Sequence, residues 1–497
     1  MLRDARARVV QAPSRGPLNE MSRAMPLKRR TFVRRIAGLS GGAIVGPGLS
    51  GLWAAAACDP TSTVALPRNP AYGPLVPSPD CPELELPASF RCVRISVGGV
   101  ASSVTPNLVV PNAFDGMAAF GLPNGNLRLI RNHEMVDSPD TGFASGNPAY
   151  DALASGGTTS LEVRISGTGM DLSVELVDEF VSLAGTMVNC AGGLTPWGSW
   201  LSCEETTWGL DRGFEQPHGY IFEVPAAATG PVDPVPLKAM GRFVHEAVAV
   251  DPDTGIVYET EDAWYTPLGL PGAGFYRFIP NQPGVLAAGG RLQMMAVTDQ
   301  PNYLTARDQA VGESLPVHWV DIDDPDPADA EDDTLAVFKQ GAAKGAAAFA
   351  RLEGAFYVDG SIYVVSTNGG DATSGQVFLY TPSTDETGEL TMVFESPGAD
   401  VLDGPDNICV RPGGGLFMCE DAAGDEYIRG LDENGQIVDL VRQPHADGSP
   451  EPGEFAGSCF SPDGRVMFVN VQGGRTIGAE PSSVTYAIWG PWEDGPL

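Results

Sequence analysis

Gly255-Ile256-Val257-Tyr258-Glu259-Thr260-Glu261-Asp262 is one of six similar phrases in the chain, and their recurrence decides the predicted fold. Each phrase begins with a glycine turn, continues with a short and mostly apolar run, and ends in polar or acidic residues. Because β-branched and aromatic residues after a glycine turn indicate a β-strand, each phrase predicts one strand of a repeated unit. The other five phrases are Gly125–Glu134, Gly198–Glu205, Gly360–Asn368, Gly415–Asp421 and Gly464–Gln472.

The spacing of the phrases predicts the architecture. They recur at intervals of about 50–70 residues with one longer gap, and repeats of this period with four strands each are typical of a β-propeller. Six phrases therefore predict an all-β fold, a six-bladed β-propeller over residues 91–497, with a multi-sheet sandwich as the alternative. The longer gap contains residues 267–345, and the alanine-rich run Ala336–Ala350 favours helix, so we interpret this region as a partly helical insertion.

The charge of the chain argues against two classes of protein. The 497 residues include 63 Asp and Glu against 30 Lys and Arg, which gives a formal net charge of −33. Nucleic-acid binding depends on stripes of Lys and Arg, so this excess of acids argues against a nucleic-acid-binding protein. The hydrophobic fraction is 43% and the charged fraction only 19%, so the composition is not that of a disordered acidic protein.

Residues 1–57 predict an export signal. Lys28-Arg29-Arg30-Thr31-Phe32-Val33 precedes the weakly apolar run Ile36–Ala57, a pattern typical of substrates of the twin-arginine export machinery. A transmembrane anchor is the alternative, although the Gly, Ser and Pro content makes a poor spanning helix. Cleavage before Cys58 would allow a lipid anchor there, and release without a lipid stays open. We therefore expect a periplasmic or extracellular protein in which residues 58–90 form a linker.

The eight cysteines of an exported chain are able to form disulfides. Cys81 and Cys92 are placed to close a small loop. Cys409 and Cys419 flank a glycine-rich turn, so they are placed to face each other across a hairpin. The sequence does not fix the pairing.

The acids that end the phrases predict a metal site. If these positions are structurally equivalent, they converge on the axis of the propeller. Unpaired carboxylates at such density are costly, and oxygen-rich clusters are the surroundings that hard cations such as Ca²⁺ prefer. The acids concerned are Glu134, Glu204, Glu205, Glu261, Asp262, Glu420 and Asp421, and Glu246 is a further metal candidate.

Two residues add chemistry that calcium alone does not need. Cys190 is followed by two glycines that let the backbone approach a ligand closely, and a thiolate beside carboxylates favours a redox-capable or softer metal. A buried thiol or half of a disulfide is the alternative for Cys190. Arg351 and Glu353 share one side of a predicted strand, and an arginine beside a metal carboxylate suits a phosphate group. A plain ion pair is the alternative for these two residues.

Taken together, several motifs resemble the PhoX-type alkaline phosphatases. The resemblance runs from about residue 90 to the end, and the twin-arginine pattern is also typical of that family. At Val471-Gln472-Gly473-Gly474 the chain departs from it, because relatives often carry His-Pro after the glutamine. The motifs are Thr186–Glu205, Arg131–Glu134, Gly241–Glu246, Thr260–Asp262, Arg351–Gly354, Gly404–Asn407 and Phe460–Gly464.

The resemblance implies a six-bladed propeller that holds two Fe³⁺ ions and Ca²⁺ ions near its axis and hydrolyses phosphate monoesters at alkaline pH outside the cytoplasm. Cys190 would match the thiolate ligand of iron. Arg351 and Asn189 would contact the phosphate, with Glu353 beside them. The acids that fall on motif positions are Glu134, Glu205, Glu246, Glu261, Asp262, Glu353, Asp406 and Glu420.

Two other functions stay open from the sequence. One is a calcium-binding propeller that acts on a lactone or a sugar, and the other is a calcium-stabilised propeller that binds a partner without catalysis. Cys190 and Arg351 favour the phosphatase, because neither rival needs a thiolate beside the carboxylates. We expect a monomer whose ligands are small phosphate monoesters.

Overall fold

The computed structural model describes residues 72–139, 146–263, 272–383, 386–445 and 453–497. The predicted export signal over residues 1–57 and the predicted lipid site at Cys58 lie outside the described residues. Across the described ranges, no helix has both the length and the apolar character needed to cross a membrane.

Short β-strands make up most of the described residues. In chain order they are β1 (Leu75–Pro77), β2 (Glu85–Pro87), β3 (Arg91–Val97), β4 (Phe114–Gly121), β5 (Leu127–His133), β6 (Gly156–Ser166), β7 (Ser173–Thr186), β8 (Asn189–Leu194), β9 (Ser199–Glu204), β10 (Ile221–Pro225), β11 (His245–Val250), β12 (Val257–Glu261) and β13 (Phe275–Pro280). They continue with β14 (Gly290–Val297), β15 (Ser314–Asp321), β16 (Leu352–Val358), β17 (Ser361–Ser366), β18 (Gln376–Pro382), β19 (Thr387–Glu395), β20 (Pro405–Val410), β21 (Leu416–Glu420), β22 (Glu426–Leu431), β23 (Ile437–Gln443), β24 (Phe455–Phe460), β25 (Val466–Val471) and β26 (Val484–Trp489).

Helices are few and short. The α-helix α1 spans Ala336–Ala342. Turns of 3₁₀-helix span Gly169–Asp171, Leu210–Arg212, Lys238–Met240, Leu286–Ala288 and Trp492–Asp494.

The strands form antiparallel sheets of neighbours in sequence. β4 to β7 form one sheet, β8 to β10 a second, and β24 to β26 a third that the N-terminal strand β3 completes. β20 to β23 form a fourth, extended at its edge by β2 and β1. β11 to β14 and β16 to β19 belong to one larger sheet because β15 pairs with both β14 and β19. The pairing of β3 with β26 joins the two ends of the described chain and closes the molecule.

The first strands of these units surround a common axis. β4, β8, β11, β16, β20 and β24 contact one another in that order, and β24 returns to contact β4. We call this closed set the inner ring. Sheets that radiate from such a ring are a β-propeller, so the predicted fold class is confirmed. The number of blades stays a prediction, because β15 merges two of the units into one sheet.

The sequence explains why these strands are buried on both faces. Ile362, Tyr363, Val364 and Val365 are consecutive residues of β17, and all four are fully buried. Each sheet packs against a neighbouring sheet on either side. A strand that is covered on both faces therefore has a continuous apolar sequence. The glycine that opens this phrase, Gly360, has a φ of +87°, which is the conformation its turn requires.

Each strand of the inner ring carries a β-bulge near its start. In β11, for example, His245 pairs with Glu261 and Val248 pairs with Glu259, so one extra residue is inserted. A bulge re-aims a side chain, and here it does so in five of the six units, because the bulged residue of β24 is a glycine. The first bulged residues are Asp115, Cys190, Glu246, Glu353, Asp406 and Gly457.

Regions that the sequence assigned to a linker and an insertion contribute strands. Within the predicted linker 58–90, β2 pairs with β23. Within the predicted insertion 267–345, β13 and β14 extend the sheet begun by β11 and β12, and α1 provides helix. Cys81 and Cys92 form the expected disulfide. Cys409 and Cys419 are free thiols, because the register places Cys409 opposite Phe417.

We predict that Gly457→Ala destabilises the metal-free protein more than Gly435→Ala does. Both glycines have positive φ, but a Cβ at Gly457 would lie 2.2 Å from the Asp115 carbonyl oxygen, whereas Gly435 has no neighbour within 4 Å. We expect a loss of about 3 kcal/mol at Gly457 and about 1 kcal/mol at Gly435, measured by urea unfolding in chelator. Equal losses would contradict a close approach of β24 to β4.

Candidate metal centre

Nine side chains converge on the axis at the level of the bulges. They form four overlapping groups, and within each group one ligand atom per residue lies within 4.8 Å of the others. Cys190, Glu246 and Asp406 each belong to two groups, so the four groups form one continuous set that we call the axial cage. The groups are Asp115, Glu134 and Cys190; Cys190, Glu205 and Glu246; Glu246, Glu353 and Asp406; and Asp406, Asp421 and Glu454.

The fold brings these residues together through two recurring positions. Five are the first bulged residues of inner-ring strands, namely Asp115, Cys190, Glu246, Glu353 and Asp406. Three others directly follow the second strand of a unit, namely Glu134, Glu205 and Asp421. In an antiparallel pair the start of the first strand and the end of the second lie side by side. Glu454 immediately precedes β24 and completes the set.

Two buried acids of the cage have carboxylate oxygens without a hydrogen-bond donor among the described residues. Glu246 is fully buried, and neither of its carboxylate oxygens has a hydrogen-bond partner among the described residues. Asp115 is 1% exposed, and its Oδ1 is likewise unpartnered in the described chain. Leaving a buried polar oxygen unpaired costs about 1–3 kcal/mol, so these atoms are suited to a bound cation.

The pKa values of the cage acids also favour a bound cation. Burial, followed by repulsion from Glu353, raises the pKa of Glu246 well above its usual range. Burial raises the pKa of Asp406 to about 8 and that of Asp115 to about 6. A bound cation reverses this effect, because it favours the ionised form of every carboxylate around it.

Cys190 connects the first two groups of the cage. It is 7% exposed, and its Sγ lies 3.7 Å from Oδ2 of Asp115. Burial and the neighbouring acids raise the pKa of the thiol, so a thiolate at this position requires a cation. One sulfur among carboxylates is a donor set that fits a softer metal beside hard ones.

Arg351 lies at the edge of the cage. Its guanidinium pairs with both oxygens of Asp262, and its Nη2 lies 3.0 Å from Oε1 of Glu353. The side chain is 19% exposed, whereas that of Glu353 is 3% exposed, so the arginine lies on the solvent side of the acid. Arg351 therefore places a partly exposed guanidinium beside the cage.

Comparison with known proteins identifies the family. A family model described as alkaline phosphatase PhoX matches residues 70–474, which is most of the chain. The chain belongs to the PhoX family of alkaline phosphatases. It is therefore a phosphoric monoester hydrolase, and the resemblance drawn from its motifs is confirmed.

Solved structures support the fold of this PhoX-family chain. Pseudomonas fluorescens PhoX in complex with vanadate, a transition state analogue, is 17% identical, and the match covers 85% of this chain and 98% of that one with a TM-score of 0.61. The periplasmic gluconolactonase of Pseudomonas aeruginosa is 15% identical over 78% of this chain and 91% of that one, with a TM-score of only 0.32. No curated protein sequence matches the chain.

Four acids predicted as ligands of the PhoX-family site lie outside the four groups. Glu204 accepts hydrogen bonds from His218 and from the backbone of Met187, Gly219 and Tyr220. The other three are Glu261, which accepts from Tyr276 and Gly274, Asp262, which pairs with Arg351, and Glu420, which pairs with Arg429.

Strand alternation explains why Glu204 and Glu420 lie apart from the cage. Successive side chains of a strand point to opposite faces, so of two adjacent acids only one turns towards the axis. In the described structure that acid is the second of each pair, Glu205 after Glu204 and Asp421 after Glu420.

Asn189, predicted as a phosphate contact, is fully buried and its amide is engaged. Its Nδ2 donates to Oγ of Ser202 at 2.9 Å, and its Oδ1 accepts from Oγ1 of Thr186 at 2.6 Å. These bonds hold the backbone directly before Cys190.

Two cage residues were absent from the sequence prediction. Asp115 lies in Phe114-Asp115-Gly116, where the register of β4 makes it equivalent to Cys190 and Glu246. Glu454 precedes β24 and has no counterpart among the phrase ends. Aligning the starts of the inner-ring strands would have found Asp115, whereas no repeat signal points to Glu454.

We predict that the metal-free protein loses stability as the pH rises from about 4 to about 8. The raised pKa values of Asp115 and Asp406 mean that the native state keeps protons that the unfolded chain releases. Their contribution is complete below the unfolded pKa of about 4 and is lost as the pH passes the folded values, by about 1.4 kcal/mol per pH unit and proton.

The measurement is urea unfolding in chelator at pH 5 and pH 8, compared with the double variant Asp115→Asn, Asp406→Asn. Between pH 5 and pH 8 the double variant should lose less stability than the native protein, because it lacks both carboxylates. Its histidines are the same as those of the native protein, so they do not contribute to the difference. Adding Ca²⁺ should reduce the loss in the native protein. An identical pH dependence in the two proteins would contradict the assignment.

Proposed function

We propose that this chain is an exported alkaline phosphatase that hydrolyses phosphate monoesters with iron and calcium ions held in the axial cage. The observation that carries the proposal is the continuous set of nine donors with one thiol among them, of which only Asp421 is exposed. Membership of the PhoX family supports the reaction, and the acidic groups support the metals. The chemistry of the donor set supports the identity of the ions.

Each part of the cage has a proposed role. Cys190 would bind iron through its thiolate, together with the carboxylates that share its two groups. The all-carboxylate group of Asp406, Asp421 and Glu454 suits Ca²⁺, which prefers oxygen ligands. When bound, the ions supply Lewis-acid polarisation of the phosphoryl oxygens.

The protein's own side chains bind and orient the ester. Arg351 would donate two parallel hydrogen bonds to phosphate oxygens and stabilise the charge of the transferring group. Glu353 and Asp262 fix its guanidinium from the buried side. Asn189 would act by positioning Cys190, since its amide is already bonded to Ser202 and Thr186.

Export through the twin-arginine machinery supports the choice of metals. That machinery carries folded proteins, so the cage would be loaded inside the cell before the chain crosses the membrane. The proposal rests on the Lys28–Val33 pattern and on the family, whose members are typically exported.

We predict that purified full-length protein contains iron and calcium and hydrolyses p-nitrophenyl phosphate, and that Cys190→Ala loses both iron and activity. Loss of the thiolate removes a ligand shared by two groups, so we expect activity to fall at least about 100-fold. Metal analysis and turnover at alkaline pH provide the measurements.

Cys203→Ala is the matched control, because Cys203 is a fully buried thiol of β9 outside the four groups. It should keep its iron. Native protein with no iron and no hydrolysis, even with added Ca²⁺, would refute the proposal. Retention of iron and activity in Cys190→Ala would refute the thiolate assignment.

We predict that Arg351→Ala lowers kcat/KM for p-nitrophenyl phosphate by about 100- to 1000-fold, as expected for a donor aimed at developing charge. Arg351→Lys should recover only part of the loss, since lysine cannot form the bidentate contact. Metal content measured in parallel shows whether a variant has lost a catalytic contact or has failed to bind its metals. Unchanged kcat/KM in a fully loaded Ala variant would contradict the role of Arg351.

A further inference from the structure

A second arginine contacts the axial cage. Arg475 follows β25 and forms an ion pair with Oε1 of Glu134. Gln472, in the same segment, donates from Nε2 to Oε2 of Glu134 at 2.8 Å and to Oδ2 of Asp115 at 2.7 Å. The segment after β25 therefore binds the first group of the cage through two side chains.

The acids that pair with Arg475 and Arg351 belong to units on opposite sides of the inner ring. Arg351 precedes β16, and Glu134, the partner of Arg475, follows β5, which pairs with β4. Around the inner ring of six strands, β4 and β16 are three positions apart in either direction. A group on the axis would thus lie between the two acids that hold these guanidiniums.

Both arginines lie on the solvent side of the acids they pair with. The side chain of Arg475 is 42% exposed, whereas that of Glu134 is 3% exposed. Arg351 and Glu353 show the same relation. An anion that enters from solvent would meet these two cations before the buried carboxylates.

The backbone around Arg475 is held against the segment that follows Glu134. The N–H of Val136 donates to the Arg475 carbonyl oxygen at 2.8 Å. The N–H of Ile477 donates to Oδ1 of Asp137 at 3.0 Å, and Ser155 donates to Oδ2 of the same carboxylate at 2.9 Å. These bonds hold the backbone that carries Arg475 beside Glu134.

We propose that Arg475 is a second phosphate-contacting arginine, which binds the phosphoryl group from the side opposite Arg351. The inference rests on the proposed function. A phosphate monoester carries three terminal oxygens, more than one bidentate arginine can bind. When cations occupy the cage they share the charge of Glu134, and the guanidinium of Arg475 is then free to donate to substrate.

The test compares native protein with Arg475→Gln and Arg475→Lys, all metal-loaded. The readouts are KM and kcat for p-nitrophenyl phosphate, the inhibition constant of inorganic phosphate, the shift in Tm that phosphate produces, and metal content. We expect Arg475→Gln to raise KM and the inhibition constant by about 10- to 100-fold with unchanged metal content. Arg475→Lys should lie between the two.

Arg164→Gln is the matched control, because Arg164 also pairs with an acid, Glu175, at 3.0 Å and is exposed on β6. It should change none of the readouts. Unchanged phosphate affinity in Arg475→Gln would overturn the inference. Loss of metal with normal phosphate affinity in the loaded fraction would also overturn it, since Arg475 would then serve only to hold Glu134.

The phosphate-induced Tm shift separates this inference from the proposed function. If the native protein binds phosphate but does not hydrolyse the ester, the proposed function fails. A smaller shift in Arg475→Gln would then still support the contact. If the native protein hydrolyses the ester and the variants bind phosphate equally well, only the inference fails.

Discussion

Repulsion among the carboxylates that converge on the propeller axis is the constraint on which the rest of this structure depends. Glu246 and Glu353 are almost completely buried, and burial raises the pKa of both. Repulsion from Glu353 raises the pKa of Glu246 further, and repulsion from Asp262 and Asp406 raises that of Glu353. Like charges at this distance in a site of low dielectric cannot all ionise unless a cation is present. Metal binding to the cage would therefore be coupled to folding, and a chain that folds before export would meet its metals in the cytoplasm.

The geometry that creates this repulsion comes from the backbone rather than from any single motif. The inner strands approach so closely that a Cβ at Gly116 would lie 2.7 Å from the Cα of Ala191, and one at Gly354 would lie 2.5 Å from the Asp406 carbonyl oxygen. Small residues directly after Asp115 and Glu353 thus let neighbouring strands close the ring. The bulges then turn the preceding side chains towards the axis. A wider ring would leave the same acids too far apart to share cations.

The sequence was sufficient for the fold class, because glycine turns and apolar runs at a regular spacing are a property of the whole chain. It was less informative for the cage. The phrase ends identified Glu134 and Glu205, but they did not separate Glu205 from Glu204, since that choice depends on the residue at which β9 ends. The sequence did not predict Asp115, because a β-bulge has no characteristic amino-acid composition. The six equivalent bulge positions hold Asp, Cys, Glu, Glu, Asp and Gly, which no simple motif unites.

Pairing of arginines with cage acids would link anion binding to metal loading. Without cations, Arg475 is the counter-charge of Glu134, and Arg351 is the counter-charge of both Asp262 and Glu353. Cations in the cage would share the charge of Glu353 and Glu134, so more of the positive potential of both arginines would extend to the solvent side. Because linkage is reciprocal, a bound phosphate then also favours the metal-loaded state. The surface of an acidic chain repels phosphate esters, so a local reversal of sign at the axis would allow such a protein to attract an anionic substrate.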